Sequence, residues 1–116
     1  MAYVSLKLKK GPYMQATVKV YEDGCIELVS YTTPILVAEK CGEDRQYRVL
    51  VREIGRYSDP NNDERIYSPT TARHISLFLA EYFPEIKYPV FKKAAIDGCA
   101  EFITTLADGK DVDYYG

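Results

Sequence analysis

The sequence predicts an α+β domain, in which a mainly antiparallel sheet of four to six strands is followed by two helices packed on one face. Alternating apolar and polar residues fill the N-terminal half, as expected of half-buried strands. Asp23-Gly24 lies between two such runs and is typical of a hairpin turn. Ser68-Pro69 opens a long amphipathic segment, and this pair is favoured at a helix start.

The first three strands are predicted to form a meander. The first ends before Gly11-Pro12, the second runs from Tyr13 to Tyr21, and the third passes through Ile26 and Leu28. Alternation means that every second side chain faces the same side of the sheet. The side chains expected to face inward on the first two strands are Val4, Leu6, Leu8, Met14, Ala16, Val18 and Val20.

Two further strands are predicted in the middle of the chain. Residues 35–38 form a continuous apolar run, which suits a buried fourth strand. Residues 46–55 fit two patterns, because their valines alternate as in a strand whereas Tyr47, Leu50 and Ile54 would share one face of a helix. A strand is favoured, since valine prefers sheets. A helix would instead gather four arginines on one face: Arg45, Arg48, Arg52 and Arg56.

Two helices are predicted in the C-terminal half. The first should begin within two residues of Ser68 and run to about Tyr82, burying the stripe Ile75, Phe78, Leu79 and Tyr82. The second should begin near Pro89 and end at Asp108-Gly109. The residues of its predicted buried stripe are Phe91, Ala95, Cys99, Phe102, Ile103 and Leu106.

Composition and charge limit the class of protein. Of the 116 residues, 47% are hydrophobic and 28% charged, which are ordinary globular values. We expect residues 1–116 to form one domain, with residues 108–116 as a loose tail. The net charge of −2 disfavours nonspecific binding to polyanions, and no apolar run reaches the length of a membrane span.

The cysteines indicate a reducing compartment. Cys25, Cys41 and Cys99 are odd in number and widely spaced, and no signal peptide is recognisable. This pattern favours free thiols and a cytoplasmic location. Together with His74 these cysteines could supply the four ligands of a zinc site, but structural zinc ligands usually come in closely spaced pairs. We therefore expect no metal, no disulfide and no cofactor.

The polar face of the first hairpin is the first candidate binding site. It interleaves tyrosines with lysines and carries no acid. Such a face can receive a protein, since tyrosines are common at interfaces, or it can stack bases and hold phosphates. An ordinary solvent-facing sheet looks the same, because tyrosine favours strands and lysine guards edges. The residues that would carry binding are Tyr3, Lys7, Lys9, Tyr13, Lys19 and Tyr21.

The start of the first predicted helix is the second candidate. A helix N-terminus carries partial positive charge and suits a phosphate or carboxylate, although a well-capped structural helix explains the same residues: Ser68, Thr70, Thr71, Arg73 and His74. His74 is the single histidine, and no nucleophile-elbow motif accompanies it. We expect it to be half-exposed and non-catalytic, with its ring near Phe78 and a hydrogen bond to a neighbouring strand.

Two stretches resemble a family of small, uncharacterised proteins of bacteriophages and prophages. Leu28-Val29-Ser30-Tyr31-Thr32-Thr33 is similar to its Leu-x-Ser-Tyr-x-Thr-like strand, and Tyr67-Ser68-Pro69-Thr70-Thr71-Ala72-Arg73-His74 to its Tyr-Ser-x-Thr-Thr-x-x-His helix start. The likeness covers residues 18–40 and 66–80 and departs at Arg45 to Arg65. It implies a phage or prophage origin and action inside a bacterial cell, and it carries no established activity.

The residues predict a non-catalytic cytoplasmic binding protein, and the resemblance implies that it is phage-encoded and engages a host or phage protein, for example as an inhibitor of a host defence system. The alternative is a protein that binds nucleic acid or a nucleotide through the tyrosine–lysine face or the helix start. Neither a membrane nor a cofactor is expected as a partner, and the oligomeric state is left open.

Overall fold

Six strands and two helices make up the computed structural model, which describes residues 3–6, 16–42, 45–52, 69–96 and 101–107. The α+β class predicted from the sequence is confirmed. The strands are β1 (Tyr3–Leu6), β2 (Ala16–Tyr21), β3 (Ile26–Ser30), β4 (Thr33–Lys40), β5 (Gln46–Val51) and β6 (Glu101–Thr105), and the helices between β5 and β6 are α1 (Pro69–Tyr82) and α2 (Tyr88–Ile96).

The six strands form one sheet in which spatial order follows chain order and every neighbouring pair is antiparallel. The predicted hairpin turn joins β2 to β3. The Gly24 N–H donates to the Tyr21 carbonyl at 3.0 Å, and the Tyr21 N–H donates to the Cys25 carbonyl at 2.9 Å. Gly24 closes the three-residue loop with φ +91°, a conformation that a Cβ atom disfavours.

The β3–β4 turn is tighter and is strained. Ser30 pairs with Thr33, so only Tyr31 and Thr32 form the turn. Tyr31 has φ +57°, which costs a residue with a Cβ atom about 1–2 kcal/mol. Its side chain is 56% exposed. The ladder register also shifts between Leu28 and Val29, so β3 bends next to this turn.

Both helices lie over one face of the sheet, which we call the inner face; the other is the outer face. Inner-face side chains alternate along each strand, and Ala16, Val18 and Val20 are buried as predicted. They pack with the predicted stripe of α1, which is also buried: Ile75, Phe78, Leu79 and Tyr82. The helices shield one face only, so polar side chains occupy the outer face.

The second predicted helix is corrected by the structure. Residues 101–105, expected to continue α2, form β6 and pair with β5 over five register positions. Phe102 stacks on Phe91 of α2 at 5.9 Å, and Ile103, expected in the core, is 55% exposed. The cause is tertiary: as a strand, this segment pairs with β5 and places Phe102 and Thr104 beside the core, and Ile103-Thr104-Thr105 is rich in β-branched residues that suit a strand.

Other boundaries agree more closely. Residues 46–51 form a strand, as favoured, and α1 begins at Pro69, within the predicted range. Leu6 lies opposite buried Val18 and so belongs to the inner face as predicted, but at the edge of the sheet it is exposed. Leu8, Met14, Ser68, Cys99 and the tail at 108–116 lie outside the described residues. Neither α1 nor α2 is long and apolar enough to cross a membrane.

Replacing Gly24 tests the turn. A methyl group added there would lie 3.7 Å from Lys40 Cδ, an ordinary contact, so Gly24→Ala should cost only the backbone strain of positive φ, about 1–2 kcal/mol. Urea unfolding monitored by circular dichroism measures this. Gly24→Asn is the matched control and should cost less, because asparagine tolerates this conformation. Equal stability of Gly24→Ala and the parent would contradict the turn assignment.

Candidate functional site

A cluster of tyrosine and lysine side chains occupies the outer face where β1 meets β2. Antiparallel pairing places Tyr3 opposite Tyr21 and Ser5 opposite Lys19, so all four side chains project to the same side. The Tyr3 and Tyr21 rings lie 5.4 Å apart with a tilt of 53°. Lys19 Nζ lies 4.7 Å from the centroid of the Tyr3 ring, a cation–π contact. The predicted face therefore includes a contiguous group of three of its six residues.

Glu27 of β3 adds a carboxylate to this group. It lies opposite Lys19 in the β2–β3 register, and the Tyr21 hydroxyl donates to Glu27 Oε1 at 2.9 Å. Burial, followed by the hydrogen bond and charge of Glu27, raises the pKa of Tyr21 to about 12. Glu27 lies outside the first hairpin, so the polar face predicted from that hairpin did not include it. Apolar Ile26 and Leu28 on either side of Glu27 indicate that Glu27 points to the opposite, polar face, and this pattern could have predicted its position. Tyr3, Lys19, Tyr21 and Glu27 are called the tyrosine cluster below.

The other charges of the outer face alternate in sign. Glu39 of β4 lies opposite Arg48 of β5, and Arg48 Nε lies 3.0 Å from Glu101 Oε1 of β6. Both partners of this last ion pair are about half exposed, so it contributes little to stability. Half-buried Val37 and Leu50 lie between the charges. The outer face is thus amphipathic and electrically mixed.

The arginines in and around β5 do not form one patch among the described residues. Arg45 lies in the turn just before β5, whereas Arg48 lies on the outer face opposite Glu39. Arg45 donates to the Ala107 carbonyl, whereas Arg48 pairs with Glu101. Arg56 and the predicted site residues Lys7, Lys9 and Tyr13 lie outside the described ranges.

The second candidate site is divided between interior and surface. Thr71 and His74 are buried, whereas Thr70 and Arg73 are exposed. Ser30 Oγ, at the end of β3, lies 3.1 Å from Thr71 Oγ1 and 2.7 Å from His74 Nδ1. These three side chains are called the buried polar cluster. It joins the first turns of α1 to β3. The hydrogen bond predicted between His74 and a neighbouring strand is thus present.

His74 differs from its prediction in exposure, since it is 1% rather than half exposed. The exposed ring of Tyr31 lies against it, with centroids 5.8 Å apart. Burial lowers the pKa of His74, and the neighbouring charge of Arg73 lowers it further. His74 Nε2 is buried and has no hydrogen-bond partner in the described part of the chain, an arrangement that typically costs about 1–3 kcal/mol.

The serine–histidine pair is closed to a substrate in this structure. Ser30 is 2% exposed, so an acyl carbon cannot reach its hydroxyl without opening the contact between β3 and α1. The hydrogen bond instead satisfies two buried polar groups at that contact, which is what interiors require.

Cys25 is far from the histidine. Cys25 precedes β3 and Ser30 ends it, so Cys25 lies about 15 Å from the buried polar cluster at the usual rise per residue. Cys25 and His74, two of the four possible zinc ligands, therefore do not lie close together. The described ranges contain no group of three candidate metal ligands. Burial, then the hydrogen bond and charge of Asp23, raises the pKa of the Cys25 thiol to about 11. This disfavours the reactive thiolate at neutral pH.

Comparison with protein-family models, curated proteins and solved structures finds no significant match to this chain.

The burial of His74 predicts a pH dependence of stability. Because the pKa of His74 is lowered in the folded state, the unfolded chain binds the proton more tightly. The contribution of neutral His74 to folded-state stability is complete above the unfolded pKa of about 6.5, and it is lost as the pH falls towards the pKa of the folded state. The free energy of unfolding should therefore be lower at pH 5.5 than at pH 7.5. His74→Gln should reduce this difference, whereas an unchanged difference would contradict the assignment.

Removing the Ser30 hydroxyl should leave the pH dependence due to His74 in place but weaken the contact between β3 and α1. Ser30→Ala deprives the buried Nδ1 of its partner, so we expect a loss of about 1–3 kcal/mol at pH 7.5. Thr70→Ala, at an exposed position of the same helix end, is the control and should change stability by less than about 0.5 kcal/mol. Equal effects of the two substitutions in urea unfolding would contradict the role of the buried polar cluster.

Proposed function

We propose that this protein is a non-catalytic binding protein that engages another protein through its outer face, with the tyrosine cluster as the main contact. The observation that carries the proposal is the composition of that cluster: two tyrosine rings, one lysine and one carboxylate held together on an open sheet. Tyrosine supplies large contact area at a low entropy cost and is enriched among residues that dominate binding energy.

The internal contacts of the cluster favour affinity, because they hold the side chains in place before binding. Tyr3 is fixed between Tyr21 and Lys19, and Tyr21 is fixed by its hydrogen bond to Glu27. A side chain that is already ordered loses less rotamer entropy when a partner covers it. Lys19 and Glu27, of opposite charge, suit a partner surface that carries both signs.

Nucleic-acid binding through this face is the alternative and is less well supported. Glu27, Glu39 and Glu101 distribute negative charge across the same outer face, and each would repel a phosphate backbone. Lys19, the basic residue of the cluster, lies between Tyr3 and the register position of Glu27. The helix start is a weaker candidate again, because Thr71 and His74 are engaged with β3.

The resemblance to phage and prophage proteins suggests where the partner would be. A phage-encoded protein of this kind would act in the bacterial cytoplasm on a host or phage protein, and inhibition of a host defence protein is the form of activity we propose. Binding alone can inhibit, because a protein that covers a functional surface needs no chemistry of its own.

Truncating the tyrosines tests the proposal. A photo-crosslinker in place of Ser5, beside the cluster, first captures the partner from a bacterial lysate, and the purified partner is then titrated by calorimetry. Tyr3→Ala and Tyr21→Ala should each weaken binding about thirtyfold, which corresponds to about 2 kcal/mol. Tyr31→Ala is the matched control, since it removes an exposed tyrosine at the opposite end of β3 and should leave affinity unchanged.

The same variants separate the alternatives. Thermal unfolding confirms that each variant is folded before affinities are compared. If both cluster variants bind as tightly as the parent, the proposed contact is wrong. Nucleic-acid binding predicts instead that a fluorescent single-stranded oligonucleotide binds, and that Lys19→Ala lowers its affinity and flattens the salt dependence.

A further inference from the structure

Within the described residues, the edge of the sheet at β6 lacks the features that usually block strand addition. Soluble proteins protect edge strands with lysine, proline, bulges or short length. β6 reads Glu-Phe-Ile-Thr-Thr and follows β5 over five unbroken register positions. Its single charge, Glu101, is paired with Arg48 on the neighbouring strand. No strand in the described ranges lies beyond it.

The backbone of β6 presents hydrogen-bonding groups to this open side. The Leu106 N–H donates to the Arg45 carbonyl at 2.8 Å. Alternate residues of an antiparallel strand bond to the same neighbour, so Thr104 and Phe102 also direct their backbone groups to β5. Ile103 and its neighbours in that alternation, Glu101 and Thr105, therefore direct their N–H and C=O groups away from β5.

The same edge exposes apolar surface on both faces of the sheet. Ile103 is 55% exposed on the outer face. On the inner face Phe102 stacks on Phe91 at the margin of the core and is half-buried. A further strand would lie about 4.8 Å from β6 and would cover both side chains at once.

We propose that this further strand is β6 of a second copy, so that the protein forms a two-fold symmetric dimer with one continuous antiparallel sheet. β6 is self-complementary about Ile103. In an antiparallel register centred there, each Ile103 meets its own copy, Glu101 lies opposite Thr105 and Phe102 lies opposite Thr104. The outward backbone groups of the two strands then form about six hydrogen bonds.

Charge and symmetry favour a second copy as the occupant. The two Glu101 carboxylates lie at opposite ends of the paired strands, where each keeps its contact with Arg48, and like charges do not face each other. A two-fold contact also closes on itself, whereas pairing of β6 with β1 of another copy would continue into an open chain. The proposal is independent of the tyrosine cluster, which lies at the β1 end of the sheet.

Solution mass tests the dimer. Light scattering after size exclusion, over a range of micromolar concentrations, should give twice the chain mass of 13.2 kDa. Ile103→Lys places two like charges at the two-fold axis and should give the single-chain mass under the same conditions. Leu6→Lys, the control, makes the same kind of change at an exposed residue of the opposite edge strand and should remain dimeric.

Amide exchange gives a second measurement. In the dimer the Ile103 and Thr105 amides should exchange more slowly as protein concentration rises, and in Ile103→Lys they should exchange rapidly. If Ile103→Lys does not fold, Ile103→Thr keeps the β-branched shape and should raise the dissociation constant at least tenfold.

Three results would overturn the proposal. The first is a protein that stays monomeric at every concentration. This includes the case of a monomer in which another part of the same chain already protects the Ile103 and Thr105 amides. The second is a dimer that Ile103→Lys and Ile103→Thr leave intact. The third is a dimer that dissociates with Leu6→Lys, which would place the contact at β1.

Discussion

The apolar side chains on the inner face of the sheet are shielded from water only where α1 and α2 lie over them. The positions of the other elements depend on this constraint. Burial of that face supplies the main favourable free energy of folding. α1 follows β5 in the chain yet lies against β3, and its position there is specified by the hydrogen bonds of Ser30 to Thr71 and His74. Because both helices cover one face, polar, aromatic and half-buried apolar side chains occupy the opposite face.

The strands β2 to β5 were predictable because each carries its own evidence. Alternation identifies the buried positions, and Asp23-Gly24 identifies the turn. β6 was not predictable in the same way, since Phe91, Ala95, Phe102 and Leu106 also fit the spacing of one helix. What decides in favour of a strand is its pairing with β5 over five register positions, which places Phe102 and Thr104 beside the core. That pairing exists only once the sheet has formed, and the one local signal for it, the β-branched run Ile103-Thr104-Thr105, competes with the helical spacing.

The candidate site shows the same division between local and long-range information. Alternation predicted that Tyr3, Lys19 and Tyr21 share a face, because strand pairing preserves the two-residue period. Glu27 was missed because it reaches this face from a third strand, and its carboxylate changes the character of the site from basic to mixed. The Ser30–His74 hydrogen bond spans 44 residues, and no spacing rule connects them. Likewise, the sequence gives no indication of the positive φ of Tyr31, because tyrosine normally avoids that conformation.

The two proposals have a joint geometric consequence. Strand order places β1 and β6 at opposite edges of the sheet, so pairing through β6 leaves the tyrosine cluster uncovered. A continuous sheet of two copies has eleven strand spacings from one β1 to the other, which is roughly 50 Å before twist at the usual separation. Since a two-fold axis perpendicular to the sheet keeps both outer faces on the same side, the two clusters would face one partner surface together. A repetitive or dimeric partner would then be bound bivalently, and affinity would exceed that of one cluster without any additional contact.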